Sequence, residues 1–305
     1  MNKISMGLKG RYKLIVRKQD GSVARETDWF DNLITDAGLN RIGSGGFAYC
    51  HVGSGSNAPS VLDTGLQTFI GSTAAVQDQK FRVDATGEKY GACVRTYRFA
   101  AGVATGNISE VGISWSNLTG SLFSRALVLD GSGSPISITV LSDEVLDVVY
   151  ELRLYPPLVD KPISFTMGGV THTGTLRIMS FFDYALGATN QAWCPTNLFG
   201  GVNGFGVYNY RDAALVATTA TTFGGTFVGS KTAQFKAYSN NSLKIGLTVQ
   251  FSLTESNHAN GITGIQLNTS NCFGNYQIVF APAIMKDATK TMTLNLEVSW
   301  ARKVI

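Results

Sequence analysis

Val145-Leu-Asp-Val-Val-Tyr-Glu-Leu-Arg-Leu154, followed by Tyr155-Pro156-Pro157, is the stretch on which the fold turns. It is rich in β-branched and aromatic residues, and apolar and polar side chains alternate through part of its length. Polar residues take every second position after Asp147 only in part, and the segment reads as a strand buried on both faces near its start and on one face near its end. The paired prolines cannot donate to a sheet ladder and favour an extended spacer, which sets a boundary near residue 158. Upstream, runs at 81–85, 92–99, 108–115, 122–129 and 136–141 have the same character, with Gly, Asn, Asp and Ser turns between them. Downstream, strands are expected at 163–166, 174–180, 223–228, 232–238, 243–253, 261–267, 276–280 and 289–300. The fold class is therefore mostly β: antiparallel β-sandwich domains in tandem, 1–157 and 158–305, with one short N-terminal helix.

The first residues agree. Tyr12-Lys-Leu-Ile-Val-Arg17 alternates, Asp20-Gly21 is a hairpin turn, and 22–30 returns. Asp31-Asn32 is placed to cap a helix over 33–42, with Leu33, Ile34, Ala37, Leu39 and Ile42 on one side and Gly43-Ser-Gly-Gly46 as its stop. The two halves also echo each other. Tyr90-Gly-Ala-Cys-Val-Arg-Thr-Tyr-Arg-Phe99 resembles the run from Ile245 to Leu253, Asn107–Ile113 resembles Asn260–Ile265, and Ser116-Asn117 and Phe123 resemble Ser270-Asn271 and Phe273. A diverged duplication and a chance likeness between Gly- and Val-rich strands both account for this.

Composition narrows the function. Of 305 residues, 44% are hydrophobic, enough for buried cores, while only 15% are charged against a usual ~25%. Gly, Ser, Thr and Asn take up the difference, which suits sheets with hydroxyl-bearing faces and large protein contacts. The net charge of +4 is spread along the chain, and pairs such as Arg17-Lys18 and Arg302-Lys303 lack interleaved aromatic residues, so no nucleic-acid partner is expected. The N-terminus has no signal-peptide pattern and no apolar run approaches the ~20 residues that span a bilayer, so the chain is expected to be made in a cytoplasm without membrane insertion. Cys50, Cys93, Cys194 and Cys272 are isolated in sequence and read as small buried apolar residues.

Motifs that carry chemistry are scarce. Gly43-Ser-Gly-Gly46 and Gly53-Ser-Gly-Ser56 lack the Lys-Ser/Thr of a phosphate loop. His51, His172 and His258 have no second ligand nearby in sequence and read as turn or edge residues, so neither a metal nor another cofactor is expected. No Gly-x-Ser-x-Gly elbow occurs. Asp130, Asp143, Glu144 and Asp147 cluster in sequence, but read as solvated turn acids rather than the facing carboxylates of a glycosidase. No catalytic residue is assigned. One stretch invites a binding role: 199–210, rich in Gly and Asn, reads as an exposed or interfacial loop carrying Phe205, Tyr208 and Tyr210, which could fill a subunit seam or stack on a glycan.

Two sets of segments resemble a known group of proteins. The first is Phe30-Asp-Asn-Leu-Ile-Thr-Asp-Ala-Gly-Leu-Asn-Arg-Ile42 with His51-Val-Gly-Ser-Gly-Ser-Asn-Ala-Pro59 and Asp63-Thr-Gly-Leu66. The second is Ile108-Ser-Glu-Val-Gly-Ile113, Leu122-Phe-Ser-Arg-Ala-Leu127, Ile138-Thr-Val-Leu141 and Tyr150-Glu-Leu-Arg-Leu-Tyr-Pro156. They look like the β-rich domain of tailed-phage virion proteins found in tail fibres, tail tips and neck appendages, over residues 10–157, and 280–303 looks like the end of such chains. The resemblance implies a non-enzymatic virion component that docks on other tail, neck or fibre proteins, with a homotrimer favoured. A receptor-binding adhesin for a host surface glycan is the alternative. No heptad or collagen-like run is present, so a knob, collar or adaptor is expected rather than a shaft.

Overall fold

The structure is a computed structural model and describes residues 2–84, 88–179, 205–268 and 275–303. It opens with β1 (Asn2–Arg17), whose Ile4, Met6, Leu8, Tyr12, Leu14 and Val16 are buried. Gly21, at φ 84°, closes the turn that β-carbon-bearing residues would strain, and Lys18 N donates to Ser22 O at 3.0 Å. β2 (Val23–Glu26) and β3 (Phe30–Asp31) then return along β1, as the sequence predicts.

The helix begins later than predicted. Leu33 and Ile34 form a short strand, β4, laddered to Arg125 and Ser124, so the chain stays extended up to Thr35. Thr35, not Asp31-Asn32, is the cap: its hydroxyl accepts from Gly38 N at 2.8 Å and donates to Leu122 O at 2.6 Å. Helix α1 (Asp36–Ser44) buries Leu39 and Ile42, and Gly45 N closes it by donating to Arg41 O.

After α1 come β5 (Tyr49–Gly53), β6 (Phe69–Thr73), β7 (Val76–Asp84), β8 (Tyr90–Phe99), β9 (Gly106–Ile108), β10 (Glu110–Ser114), β11 (Leu122–Leu127), β12 (Ile138–Val140) and β13 (Val145–Tyr155). The second half supplies β14 (Lys161–Met167), β15 (Val170–Met179), β16 (Phe205–Ala214), β17 (Gly224–Phe235), β18 (Lys244–Phe251), β19 (Ile262–Asn268), β20 (Asn275–Ile284) and β21 (Met292–Arg302). The runs at 223–228 and 232–238, read separately in the sequence, are largely the one strand β17.

Among the described residues the protein is mostly β with one short helix. The sheet order β4-β11-β10-β5-β6 defines a smaller sheet that packs on β1, β13 and β8; Tyr12 Oη and Ser124 Oγ meet across the interface at 2.7 Å. The large sheet runs β14-β15-β20-β19-β16-β17-β18-β21-β1-β13-β8-β7 and curls, so that side chains of β14, β19, β20 and β21 border one cleft.

β13 lies between β1 and β8 and is covered on both faces along most of its length, including the end expected to face water. Leu146, Val148, Tyr150, Leu152 and Leu154 point into the core. The other face carries Asp147 and Glu151, only 2% and 1% exposed, under arginines from the flanking strands and from β13 itself. Arg17 and Arg98 hold Asp147, and Arg11 and Arg153 hold Glu151. Long arginine stems shield this face while their heads pair with the acids.

The halves meet in the same sheet. β21 runs parallel to β1 from Asn2↔Leu296 to Leu8↔Arg302, and one connected apolar cluster includes Ile4, Tyr97, Leu152, Phe205, Leu267 and Trp300. The quoted echo between halves has a partial counterpart. β8 pairs with β13 and β18 with β21, the last strand of each half, but β10 lies in the smaller sheet and β19 in the large one.

Candidate interaction surface

Residues 205–210 are not a loop. They open β16, an interior strand paired with β19 on one side and β17 on the other. Strand alternation separates the three aromatic residues picked from the sequence. Phe205 is 1% exposed and meets Phe235 edge-on at 5.4 Å, so it is core. Tyr208 and Tyr210 lie on the opposite, half-buried face. Residues 199–204 of the expected loop lie outside the described residues.

Around the two tyrosines β17 and the residue just before it add aromatic residues that the sequence reading did not single out. Phe227, 55% exposed, lies 6.3 Å from Tyr208 and 5.9 Å from Tyr210 between ring centroids. Buried Phe223 backs Tyr210 at 4.4 Å. Tyr210 Oη donates to Gln266 Oε1 at 2.9 Å, which fixes the ring. Partial burial, with Tyr208 as a lesser cause, pushes the Tyr210 hydroxyl above its usual pKa, so it stays a neutral donor at physiological pH. The group is a shallow aromatic platform on a sheet face. Cross-strand register alone brings it together, and the alternation of 205–210 was the signal that could have found it.

The segments that carry the family resemblance converge elsewhere, on a buried ion pair. Glu110, 0% exposed, accepts from the backbone N–H of Gly55 (2.9 Å), Gln67 (3.0 Å) and Thr68 (2.7 Å). Its remaining partner is Arg125, 3% exposed, whose Nε donates to Glu110 Oε2 at 2.9 Å. Arg125 also reaches Asp63 Oδ2 at 2.8 Å and Asn57 O at 3.1 Å. One carboxylate and one guanidinium thus tie the Gly53–Thr68 loop to β10 and β11, with each buried charge paired and hydrogen-bonded. β11 in turn touches α1, where Thr35 holds the carbonyl of Leu122.

The remaining polar candidates resolve individually. Asp130 is a half-buried turn acid that accepts from Ser132 and Ser134, and Asp143 is exposed. Glu144 and Asp147 are not solvated: Glu144 pairs with Arg25, and Asp147 is the β13 residue clasped by Arg17 and Arg98. Their acids are spent on arginines rather than set across a cleft. His51 and His172 are not turn or edge residues either. His51 is buried in β5 with Nε2 2.8 Å from Ser116 O, and burial holds its pKa below the usual imidazole value, opposed by that carbonyl. His172 is buried in β15 with Nδ1 2.7 Å from Pro282 O. His258 does sit in a turn, closed by Gly261 N to His258 O. Cys50 and Cys93 are buried, and burial raises the Cys50 thiol well above its usual pKa; Cys194 and Cys272 lie outside the described residues. Lys286, missed in the sequence, is buried and donates to Ser252 O and Asn257 Oδ1, both at 2.7 Å, and to Asp287 O at 3.2 Å.

These observations define a class: a mostly-β protein of curled, laminated sheets whose buried charges are committed to holding loops and strands together. No family model matches the chain, and comparison with curated proteins and with solved structures finds no match. Among the described residues, no helix is long and apolar enough to cross a membrane.

Proposed function

We propose that this chain is a structural component of a tailed-phage virion, part of a tail fibre, tail tip or neck appendage, that works by protein contacts and without catalysis. The observation that carries the reading is the Glu110–Arg125 hub. The motifs at 51–59, 63–66, 108–113 and 122–127 supply Gly55, Asn57, Asp63, Glu110 and Arg125, Gln67 and Thr68 follow directly after them, and 30–42 packs beside the hub. Fold-holding roles for these residues support a reading in which they serve structure rather than chemistry. The low charge and long pairing strands support the same reading, because assembly seams use extended apolar and hydroxyl-bearing surface. Imaging of intact particles carrying a labelled copy tests it, together with the solution mass, for which a trimer is expected. Absence of the label from particles, or turnover of host polysaccharide by the purified protein, would count against it.

A second reading, a glycan-binding adhesin, is favoured by the Tyr208, Tyr210 and Phe227 platform with Gln266 at its edge. An exposed Phe227 beside two half-buried tyrosines suits the apolar face of a sugar as well as a subunit seam. In a glycan array, signal lost in Phe227→Ser and Tyr208→Ser with an unchanged melting temperature supports the adhesin. Unchanged array signal with altered oligomer mass assigns the platform to a seam.

A further inference from the structure

Lys286 lies in the connection between β20 and β21 and is only 2% exposed. Its ammonium donates to Ser252 O, Asn257 Oδ1 and Asp287 O, all of them neutral oxygens. Among the described residues no carboxylate pairs with it. The neighbouring Asp287 side chain accepts from Thr289 N at 2.8 Å and faces Lys290 Nζ at 3.5 Å. Lys286 thus differs from Glu110, Asp147 and Glu151, whose buried charges each meet an arginine. A buried charge without a counter-charge is costly, and chemistry that neutralises it is favoured.

Asn257 is held in place for such chemistry. It lies in the connection between β18 and β19, where its Nδ2 donates to Leu253 O at 2.6 Å while its Oδ1 accepts from Lys286 Nζ at 2.7 Å. His258 N donates to Lys286 O at 3.1 Å, so the two backbones are tied beside the pair. The carboxamide carbon is one C=O bond behind Oδ1, which puts Nζ no more than about 3.9 Å away from it. A reacting pair stands at about 3–3.5 Å. We propose that Lys286 and Asn257 join spontaneously in an isopeptide bond. Lys286 gives a proton to solvent, and the freed Nζ lone pair attacks Asn257 Cγ. The Cγ–Nδ2 bond breaks, and Nδ2 leaves as ammonia and takes up the proton. An ammonium and a carboxamide become a secondary amide and an ammonium ion, with nothing oxidised or reduced and no co-reactant. A cleft of about 450 Å³ lined by Asn257, His258, Lys286 and Asp287 opens the pair to solvent. The product removes the buried charge and cross-links the two connections around the paired strands β19 and β20.

Mass spectrometry of the denatured full-length chain tests this. After a week of native incubation in mildly alkaline buffer, the wild-type chain is expected to weigh less than its sequence by one ammonia. Trypsin should leave the bond after Lys286 uncut, and chymotrypsin, which cuts between the two residues at Tyr276 and Phe280, should release a branched peptide. Lys286→Arg and Asn257→Ser should each keep the full sequence mass. So should wild-type chain held in urea throughout, because only the fold brings the two side chains together. Native wild-type chain at full mass, with Lys286 cut normally, would leave Lys286 a hydrogen-bonded clamp and overturn the proposal. Ammonia lost equally from Lys286→Arg, or from the chain in urea, would mark an asparagine that cyclises on its own backbone, which overturns it as well.

Discussion

Glu110 is fully buried, and its carboxylate is held by Arg125 and three backbone donors. Removing one member of such a buried pair leaves the other uncompensated, so Glu110→Ala should cost about 3–5 kcal/mol. Against a total of roughly 5–15 kcal/mol for a domain, that is enough to threaten folding. In urea unfolding, Arg125→Met added to Glu110→Ala should recover part of the loss, and a double variant as unstable as the sum of the singles would contradict the pairing. Asp147 makes a pH-dependent version of the same argument. Burial raises its pKa, but the hydrogen bonds and charges of Arg98 and Arg17 outweigh burial and hold it below the usual carboxylate value. A depressed folded value adds stability above the unfolded value of about 3.9 and loses it as pH falls through the folded one. Wild-type protein should therefore exceed Asp147→Asn in stability at pH 7, and the gap should close on acidification below about pH 4. A gap unchanged at pH 3 would show that the arginine clasp is not its source.

At the scale of elements, α1 is short and is held by what surrounds it. Gly38 packs so closely that an added β-carbon would meet Phe123 O at 2.1 Å. Helix propensity alone would reward alanine there by about 1 kcal/mol, but overpacking against backbone costs about 1–3 kcal/mol. Gly38→Ala is therefore expected to lower the denaturation midpoint, and a rise would mean that β11 yields freely. The C-terminal strand also anchors the helix, with Trp300 Nε1 donating to Leu39 O at 2.7 Å and Arg302 Nε to Ile34 O at 2.6 Å. The aromatic stretch at 205–210 shows how an element changes its residues' meaning. In a loop, Phe205 and Tyr208 would share a surface, but in a strand they are placed on opposite faces.

For the whole molecule, the parallel pairing of β1 with β21 decides cooperativity. Cutting at 157/158 would strip β1 of a neighbour from Asn2 to Leu8 and open the apolar cluster that spans both halves. Fragments 1–157 and 158–305 made separately are expected to aggregate or to lack native circular dichroism, while the intact chain unfolds in one transition. Two well-resolved transitions in the intact chain, or a fragment with native spectra, would show the halves to be independent.

What the residues determined locally was the β character, the Asp20-Gly21 hairpin, the presence of one helix and most strand positions, because alternation and turn chemistry act over a few residues. Helix start, strand burial and the fate of polar groups were decided by tertiary pairing. Leu33-Ile34 is strand because Ser124 and Arg125 are opposite, and Asp147 is buried because arginines from two other strands reach it. Of the contact platform, Tyr208 and Tyr210 were legible as aromatic residues. The alternation of 205–210 was there to set Phe205 apart, but Phe227 and Phe223 followed only from register, since cross-strand neighbours are not adjacent in sequence.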